Sequence, residues 1–287
     1  VETGFVRFES NVTKNYIETK ISNHKIDINP KDWSRILQET KGDRLYVSVV
    51  DENGVSYQQF VMIVANEPID KYVAYRLLAP AFKHWGEMGI YQRDLETFKE
   101  HTVVESKNSE FACVNCHSFA NRKTDQMMFH VRMTDYAGTY VWHEGEMDKL
   151  NTKTPQTISP LVYPSWHPSG KYIAFSVNKT GLTFYVNSNN KMEVYDSRSD
   201  VVIYDVEKHE LITSEQLFNK AQFETFPSFS PNGKQLYFCS ADTVPMPAKY
   251  DDVKYALCAI DFNPETRELG TTVDTIFKDQ RLSATLP

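Results

Sequence analysis

The chain has no long apolar stretch, few cysteines and no excess of basic residues. Its longest hydrophobic segment, Tyr57–Ala65, is far shorter than the roughly 20 residues a membrane-spanning helix needs. Four cysteines are too few for a disulfide scaffold. A formal net charge of −7 does not supply the basic field on which nucleic-acid binding depends. We therefore expect no transmembrane segment and no nucleic-acid partner.

The chain also begins at Val1, without a methionine and without a visible signal peptide. That is the form expected of a mature or trimmed product. A hydrophobic content of 41% and a charged content of 24% fit a folded globular protein. The aromatic content of 13% favours β-sheet, because aromatic side chains pack well on a pleated surface.

Two segments of the second half repeat each other. "YPSWHPSGKYIAFSVN" (Tyr163–Asn178) and "FPSFSPNGKQLYFCSA" (Phe226–Ala241) both read as strand, Pro-x-Gly turn and strand. Each is followed by a further strand, turn and strand, over Asp200–Ile212 and Lys254–Gly270. Units of about four short strands cannot bury their faces alone, so they are expected to stack around an axis as β-propeller blades.

A third, degenerate copy precedes these two. When Ser118 is aligned with Ser165 and Ser228, the segment Met127–Arg132 becomes the second strand of another blade. The motif Cys113–His117 then lies just before the first strand of that blade. We expect it on a loop at one rim of the central channel, where propellers commonly bind ligands.

The two "PS(W/F)(H/S)P(S/N)GK" strings resemble the TolB-like propeller repeat, also called PD40 or WD40-like, over about Thr157–Phe277. With "CVNCHSF" and "MMFHVR", most of the chain resembles a family of exported Gram-negative proteins described as TolB-like or cytochrome c-related. The resemblance implies a periplasmic or outer-membrane-associated protein with envelope protein partners or a redox partner. In that family the propeller continues beyond Pro287, so the blades here are expected to be incomplete.

The first hundred residues differ from the repeats. Ile26–Leu37 carries a Pro-Lys-Asp helix start, and Asp43–Ala65 reads as two strands around an Asn53-Gly54 turn. The predicted fold class is all-β, with TolB-like β-propeller blades preceded by a small N-terminal β-sandwich-like module. The predicted domains are residues 1–66 for that module, 67–110 for a packed connector and 111–287 for the blades.

The motif "CVNCH" has the pattern of c-type haem attachment. In that pattern Cys113 and Cys116, on one turn, bond the two vinyl groups of a porphyrin edge, and His117 is the proximal ligand of the iron. Three alternatives stay open. The pair could form a short-loop disulfide or structural thiols, or it could contribute to a zinc site with His117 or His130.

A c-type haem usually takes a sixth ligand, methionine or histidine. Strand alternation places Met128, His130 and Arg132 on the face opposite Phe129. We expect His130 as the distal ligand, with Met128 as second choice. The candidates near the motif are Met127, Met128, His130, Met133 and His143.

The other two cysteines, Cys239 and Cys258, fall on adjacent predicted strands, where they could be bridged or could be small buried hydrophobes. The favoured function is electron transfer, or redox or small-ligand sensing, through one haem c in the cell envelope. The rival is a non-redox propeller scaffold that binds protein or glycan. A metal enzyme at Cys113, Cys116, His117 and His130 is the weakest reading, so the protein is expected not to be an enzyme.

Overall fold

The computed structural model describes residues 1–78, 87–132, 137–152, 157, 159–184, 186, 192–279 and 281–285. Within them the chain forms 20 β-strands and one α-helix. The all-β class is therefore confirmed. The predicted distal candidate Met133 and residues 79–86 of the predicted connector lie outside the described residues.

The strands and the helix follow in this order: β1 Thr3–Ser10, β2 Tyr16–Ser22, β3 Lys25–Ile26, α1 Pro30–Glu39, β4 Arg44–Asp51, β5 Phe60–Ile63, β6 Tyr72–Leu77, β7 Gly89–Asp94, β8 Glu100–Glu105, β9 Cys113–Phe119, β10 Met127–Arg132, β11 Ala137–His143, β12 Glu146–Asn151, β13 Leu161–Trp166, β14 Tyr172–Phe184, β15 Met192–Asp205, β16 Glu210–Ile212, β17 Gln222–Phe229, β18 Gln235–Asp242, β19 Ala256–Asn263 and β20 Glu268–Phe277.

The contacts divide the chain into two compact units. One comprises Val1–Ala74 with Gln92–His101, and the other comprises Tyr75–Tyr91 with Thr102–Pro287. Strands β6 to β8 form a three-stranded sheet in the order β6-β7-β8. In the described part of the chain, no helix has the length and apolar character needed to cross a membrane.

The first unit is built on one five-stranded sheet in the order β3-β2-β1-β4-β5. Alternate residues of β1, among them Val6 and Phe8, point into its core and meet Ile36 of α1. Trp33 of α1 lies edge-on to Phe8 with ring centroids 5.2 Å apart. The predicted sandwich-like module thus has a helix, rather than a second sheet, as its other layer, because α1 presents an apolar stripe that can cover one sheet face.

The predicted helix start and hairpin turn are both present. The Asn29 side chain accepts a hydrogen bond from the Lys31 backbone N–H at 2.9 Å, and Pro30 occupies the first turn, where its missing N–H costs nothing. Gly54 takes a left-handed conformation (φ 79°) in the turn that leads from β4 towards β5.

The second unit contains three four-stranded antiparallel blades. Blade 1 is β9 to β12, blade 2 is β13 to β16, and blade 3 is β17 to β20, and in each the strands pair in chain order. The repeats had predicted all three, including the degenerate first copy. In blades 2 and 3 the Pro-x-Gly turn is formed as expected, since Gly170 and Gly233 have φ of 75° and 72°.

The first half of strand β14, residues 172–178, is buried on both faces. Ile173 and Phe175 pack with Met128 of blade 1, whereas Tyr172 and Ala174 pack with residues of blade 3. Complete burial of one such aromatic or aliphatic side chain stabilises the fold by about 1.5–3 kcal/mol. Packing between blades is therefore the main cohesive force of this unit.

His167 links blades 2 and 3. The side chain is buried, its Nδ1 is 2.7 Å from Ser169 Oγ, and its Nε2 is 3.0 Å from the carbonyl oxygen of Gly233. The rings of Phe229 and Phe262 lie around it at 5.0 and 5.8 Å. A neutral imidazole satisfies both contacts, and burial lowers the pKa of His167 accordingly.

We predict that His167→Ala lowers the free energy of unfolding by about 2 kcal/mol at pH 7, because it removes the hydrogen bonds of both ring nitrogens and the aromatic contacts with Phe229 and Phe262. The loss should shrink as pH falls from 7 to 5. The unfolded histidine gains a proton below about pH 6.5, whereas the buried one resists it, so the native histidine itself becomes destabilising in acid.

Urea denaturation at several pH values measures both effects. The control is Ser230→Ala at the equivalent position of blade 3, which loses only contacts within its own turn. An equal loss for the two variants at pH 7 would contradict the proposed link between blades.

Two carboxyl groups, Asp200 of β15 and Glu224 of β17, are fully buried where blades 2 and 3 meet. Asn219 Nδ2 donates to Glu224 Oε1 at 2.9 Å, and Arg198 Nε lies 3.3 Å from Asp200 Oδ2. Burial, and then the charge of Asp200, raise the pKa of Glu224 to about 8. Burial raises the pKa of Asp200 to about 6. A single arginine does not compensate two buried negative charges.

Glu224 should therefore make the fold less stable as pH rises. Its unfolded pKa is about 4.3, so between that value and about 8 the folded state holds a proton that the unfolded state has lost, and stability falls. We predict that Glu224→Gln flattens this dependence and gains on the order of 1–3 kcal/mol over the parent protein between pH 5 and 8. Glu265→Gln, an exposed carboxylate of blade 3, is the control. Parallel pH profiles for the parent and Glu224→Gln proteins would refute the assignment.

Candidate functional site

The motif lies within β9, the first strand of blade 1 and an edge strand of its sheet. Cys113, Cys116 and His117 all belong to β9, and all three are half-buried. The sequence predicted a loop just before this strand, so the prediction differs from the structure by about one strand length. Pairing with β10 continues as far as Cys113, which lies opposite Arg132.

A β-bulge interrupts β9 at the motif. Asn115 pairs with His130 and Ser118 pairs with Met128, so Cys116 and His117 together face the single residue Phe129. A bulge of this kind bends the strand and redirects its side chains. Cys116 accordingly has a left-handed backbone conformation, with φ of 52°.

The same bulge occurs in blades 2 and 3. In blade 2 it consists of Tyr163 and Pro164, and in blade 3 of Phe226 and Pro227. Tyr163 and Phe226 have φ of 50° and 52°. The pair Cys116-His117 thus occupies a position that the other blades fill with an aromatic residue and proline, and neither cysteine nor histidine is needed to form the bulge.

The thiol of Cys116 lies beside blade 2. Burial raises the pKa of Cys116, while the charges of Arg132 and Arg76 and a hydrogen bond from the Tyr163 backbone N–H act in the opposite direction. Cys113 is close enough to add a further electrostatic contribution to this pKa. The Tyr163 ring is exposed, and its centroid lies 4.6 Å from that of Phe226.

The two predicted distal residues lie on β10, the hydrogen-bonded neighbour of β9. Met128 is fully buried and packs between blades 1 and 2 with Phe175. His130 is 1% exposed, its Nδ1 lies 2.8 Å from Thr139 Oγ1, and its ring lies 5.9 Å from that of Phe175. Burial lowers the pKa of His130 to about 3, so the imidazole is neutral.

Three buried polar atoms on neighbouring positions of β9 and β10 lack hydrogen-bond partners among the described residues: Asn115 Oδ1, His130 Nε2 and Arg132 Nε. Each unsatisfied group costs about 1–3 kcal/mol. They share the sheet face that meets Phe175 and Tyr163 of blade 2. The protein therefore has unused hydrogen-bonding capacity next to its two half-buried thiols.

A c-type haem requires two thiols and an imidazole close together in the chain. Two thiols and an imidazole follow one another on a half-buried edge, which is the donor chemistry of such a group. The prediction that both thiols lie on one turn does not hold, because β9 is extended and bends only at Cys116. The side chains present are therefore of the types that a c-type haem needs, and the β-bulge at Cys116 provides the change of strand direction between the two thiols.

No three His, Cys, Asp or Glu side chains are arranged to hold a metal ion in the part of the chain that the structure describes. Cys113, Cys116, His117 and His130 are all within that part. None of the four cysteines, all of which lie in the described part of the chain, forms a disulfide. Cys239 pairs with Leu257 and Cys258 with Phe238, so the two cysteines lie on opposite faces of the sheet and cannot bridge.

Arg132, Asn115, Thr139 and Tyr163 belong to the site although the sequence did not identify them as site residues. Alignment of the three repeats could have found Tyr163, since it matches Cys116 position for position once the bulge is known. Thr139 contacts His130 because β10 pairs with β11, and no local sequence motif predicts that pairing.

No family model matches the sequence. No curated protein matches it either. Similar solved structures include an oligogalacturonate lyase from Vibrio parahaemolyticus, at 11% identity and TM-score 0.43, over 91% of this chain and 66% of that one. The Dos1 propeller is similar at 11% identity and TM-score 0.37, over 83% and 69%.

An auxiliary nutrient binding protein from Bacteroides ovatus is similar at 13% identity and TM-score 0.36, over 96% of this chain and 64% of that one. The chain spans between 28% and 66% of the length of the first three similar structures. These likenesses concern the fold alone.

We predict that the double variant Cys116→Phe with His117→Pro folds and keeps its unfolding free energy within about 1 kcal/mol of the parent protein. The reason is that Phe226-Pro227 already occupies the same bulge in blade 3. Circular dichroism and urea denaturation test this. The comparison variant is Phe129→Ala, which empties the core opposite the bulge and should cost about 3–5 kcal/mol. An unfolded double variant would show that the motif has a structural role of its own.

Proposed function

We propose that this is an exported, TolB-like propeller protein that carries one c-type haem on Cys113 and Cys116, with His117 as the proximal ligand. Its role would be electron transfer, or redox or small-ligand sensing, in the cell envelope. The observation that carries the proposal is the C-x-x-C-H motif on a bent edge strand with both thiols half-buried. Blade 1 supports the motif through the pairing of β9 with β10, and both thiols keep part of their surface exposed.

The protein residues have separate tasks in this proposal. Cys113 and Cys116 would each add their S–H across one vinyl group, which creates two thioether bonds with no leaving group. Arg132 and Arg76 place positive charge near Cys116 and favour its thiolate during that addition. When bound, a haem supplies an iron that accepts and releases one electron. The net charge of −7 would favour a basic partner.

His130 stays the predicted sixth ligand, followed by Met128. Its neutral imidazole, unpartnered Nε2 and contact with Thr139 suit a ligand whose other ring nitrogen is held by a neighbour. Both residues, however, lie on the strand paired with that of His117. Holding the group with His117 and with either of these residues would require β9 and β10 to separate locally.

A second function is supported by the bulges of blades 2 and 3. They form without a cysteine, so Cys113 and Cys116 could be structural thiols in a propeller scaffold that binds protein or glycan and has no redox role. A zinc site at the same residues would be a further variant of this reading.

The haem proposal predicts covalent attachment that depends on both motif cysteines. Protein produced with a cytochrome c maturation system should show a Soret band and a haem stain that survives denaturing electrophoresis. Cys113→Ala should abolish two-bond attachment, while Cys239→Ala, which removes a buried thiol of blade 3, should leave it intact. Intact mass measures the attached group directly.

A colourless protein whose cysteines have unmodified masses would contradict the haem proposal. Stoichiometric zinc in an elemental analysis would instead support a zinc site at these residues.

If haem is attached, the absorption spectrum of the protein identifies the sixth ligand of the iron. A six-coordinate, low-spin spectrum that His130→Phe converts to high-spin would assign His130. A high-spin parent protein that binds carbon monoxide would favour small-ligand sensing.

A further inference from the structure

A half-buried carboxylate, that of Asp196, lies on the side of blade 2 that meets blade 3. Asn178 Nδ2 donates to Asp196 Oδ2 at 2.6 Å, and Thr180 Oγ1 donates to Asp196 Oδ1 at 2.9 Å. The same Asn178 Nδ2 lies 3.3 Å from Thr225 Oγ1 of β17. Two donors of β14 therefore hold the carboxylate in place beside the first strand of blade 3.

The negative charge of Asp196 is not balanced by a cation. Burial raises the pKa of Asp196, and the effects that oppose burial come from hydrogen bonds of the uncharged Thr180 and Asn178. Asn178 is 7% exposed, and its Oδ1 has no hydrogen-bond partner in the described part of the chain. An amide oxygen and a carboxylate thus lie side by side and create a negative potential that a cation would relieve.

Two aromatic rings lie close to this carboxylate. Tyr163 is 43% exposed, Phe226 is half-buried, and their ring centroids are 4.6 Å apart. Phe226 directly follows Thr225, which Asn178 contacts, and its N–H donates to Ser176 Oγ at 2.8 Å. The two rings offer apolar surface that a ligand would remove from water.

Negative charge also dominates around the tyrosine. Among the charged groups that shift the pKa of Tyr163, Asp196 has the largest effect and raises it, whereas Arg132 lowers it by less. Asp196 likewise raises the pKa of Tyr255, which directly precedes β19. A cation near the Tyr163 ring would therefore be attracted both by the carboxylate and by the ring itself.

We propose that Asp196, Tyr163 and Phe226 form a binding site for a small primary ammonium compound that carries an aromatic group. The ammonium donates hydrogen bonds to the Asp196 carboxylate, and the aromatic group packs on the rings of Tyr163 and Phe226. The three residues belong to blades 2 and 3, so the site does not require a group bound to Cys113 and Cys116.

Isothermal titration of the whole chain with phenethylamine, a cation at pH 7, and with 2-phenylethanol, its neutral analogue, tests the proposal. Phenethylamine should bind at one site and at least tenfold more tightly than 2-phenylethanol, because a hydrogen bond between charged groups contributes more than one to a neutral donor. Asp196→Asn keeps the shape of the side chain. It should weaken phenethylamine at least tenfold and leave 2-phenylethanol unchanged.

Tyr163→Asn removes the ring at a left-handed position (φ 50°) that asparagine tolerates, and it should weaken both probes about threefold or more. The matched control is Asp261→Asn, an exposed aspartate that accepts a hydrogen bond from Gln235 and should bind both probes like the parent protein. Cys113→Ala should do the same, which separates this site from the haem proposal.

Three results would overturn the proposal. The first is a parent protein that does not bind phenethylamine, and the second is equal affinity for the two probes. The third is an Asp196→Asn or Tyr163→Asn variant, folded by circular dichroism, that binds phenethylamine like the parent protein.

Discussion

Blade 2 has two apolar faces, and the packing of blade 1 on one and blade 3 on the other holds the rest of this unit in place. Strand β14 shows the constraint most directly: Phe175 packs towards blade 1 and Ala174 towards blade 3. Because the blades depend on one another for burial, the polar groups carried into their contacts must be satisfied there or remain costly. His167 is satisfied at such a contact, whereas Glu224 keeps one oxygen without a described partner.

The candidate site arises from the same constraint. Blade 1 turns Asn115, His130 and Arg132 towards blade 2, a location where water is excluded and where their free hydrogen-bonding atoms are costly. The bulge at Cys116 bends β9 at this level and brings its thiol against Tyr163. Strain and unsatisfied polar atoms together are common at functional sites. The bulges of blades 2 and 3 have the same left-handed backbone, and the two half-buried thiols distinguish the bulge of blade 1 from them.

Much of the architecture was predictable because local sequence repeats encode it. Pro-x-Gly turns and alternating strands identified the three blades, and the alignment of Ser118 with Ser165 holds in the structure, where each lies one residue before the end of its strand. The helix start at Pro30 and the turn at Gly54 were predictable for the same reason. The layer that α1 forms over the first sheet was not, because a short amphipathic helix does not reveal which surface it will cover.

The sequence by itself determined that this is an all-β chain of repeated four-stranded units and that Cys113, Cys116 and His117 form one compact motif. Spacing along the chain carries that information. Only the tertiary structure decided that the motif lies inside β9 rather than before it, that Cys239 and Cys258 face opposite ways, and that Arg132 and Tyr163 border the thiol of Cys116. The physical reason is register: a two-residue bulge, or a shift of one residue between paired strands, changes the face on which each side chain lies.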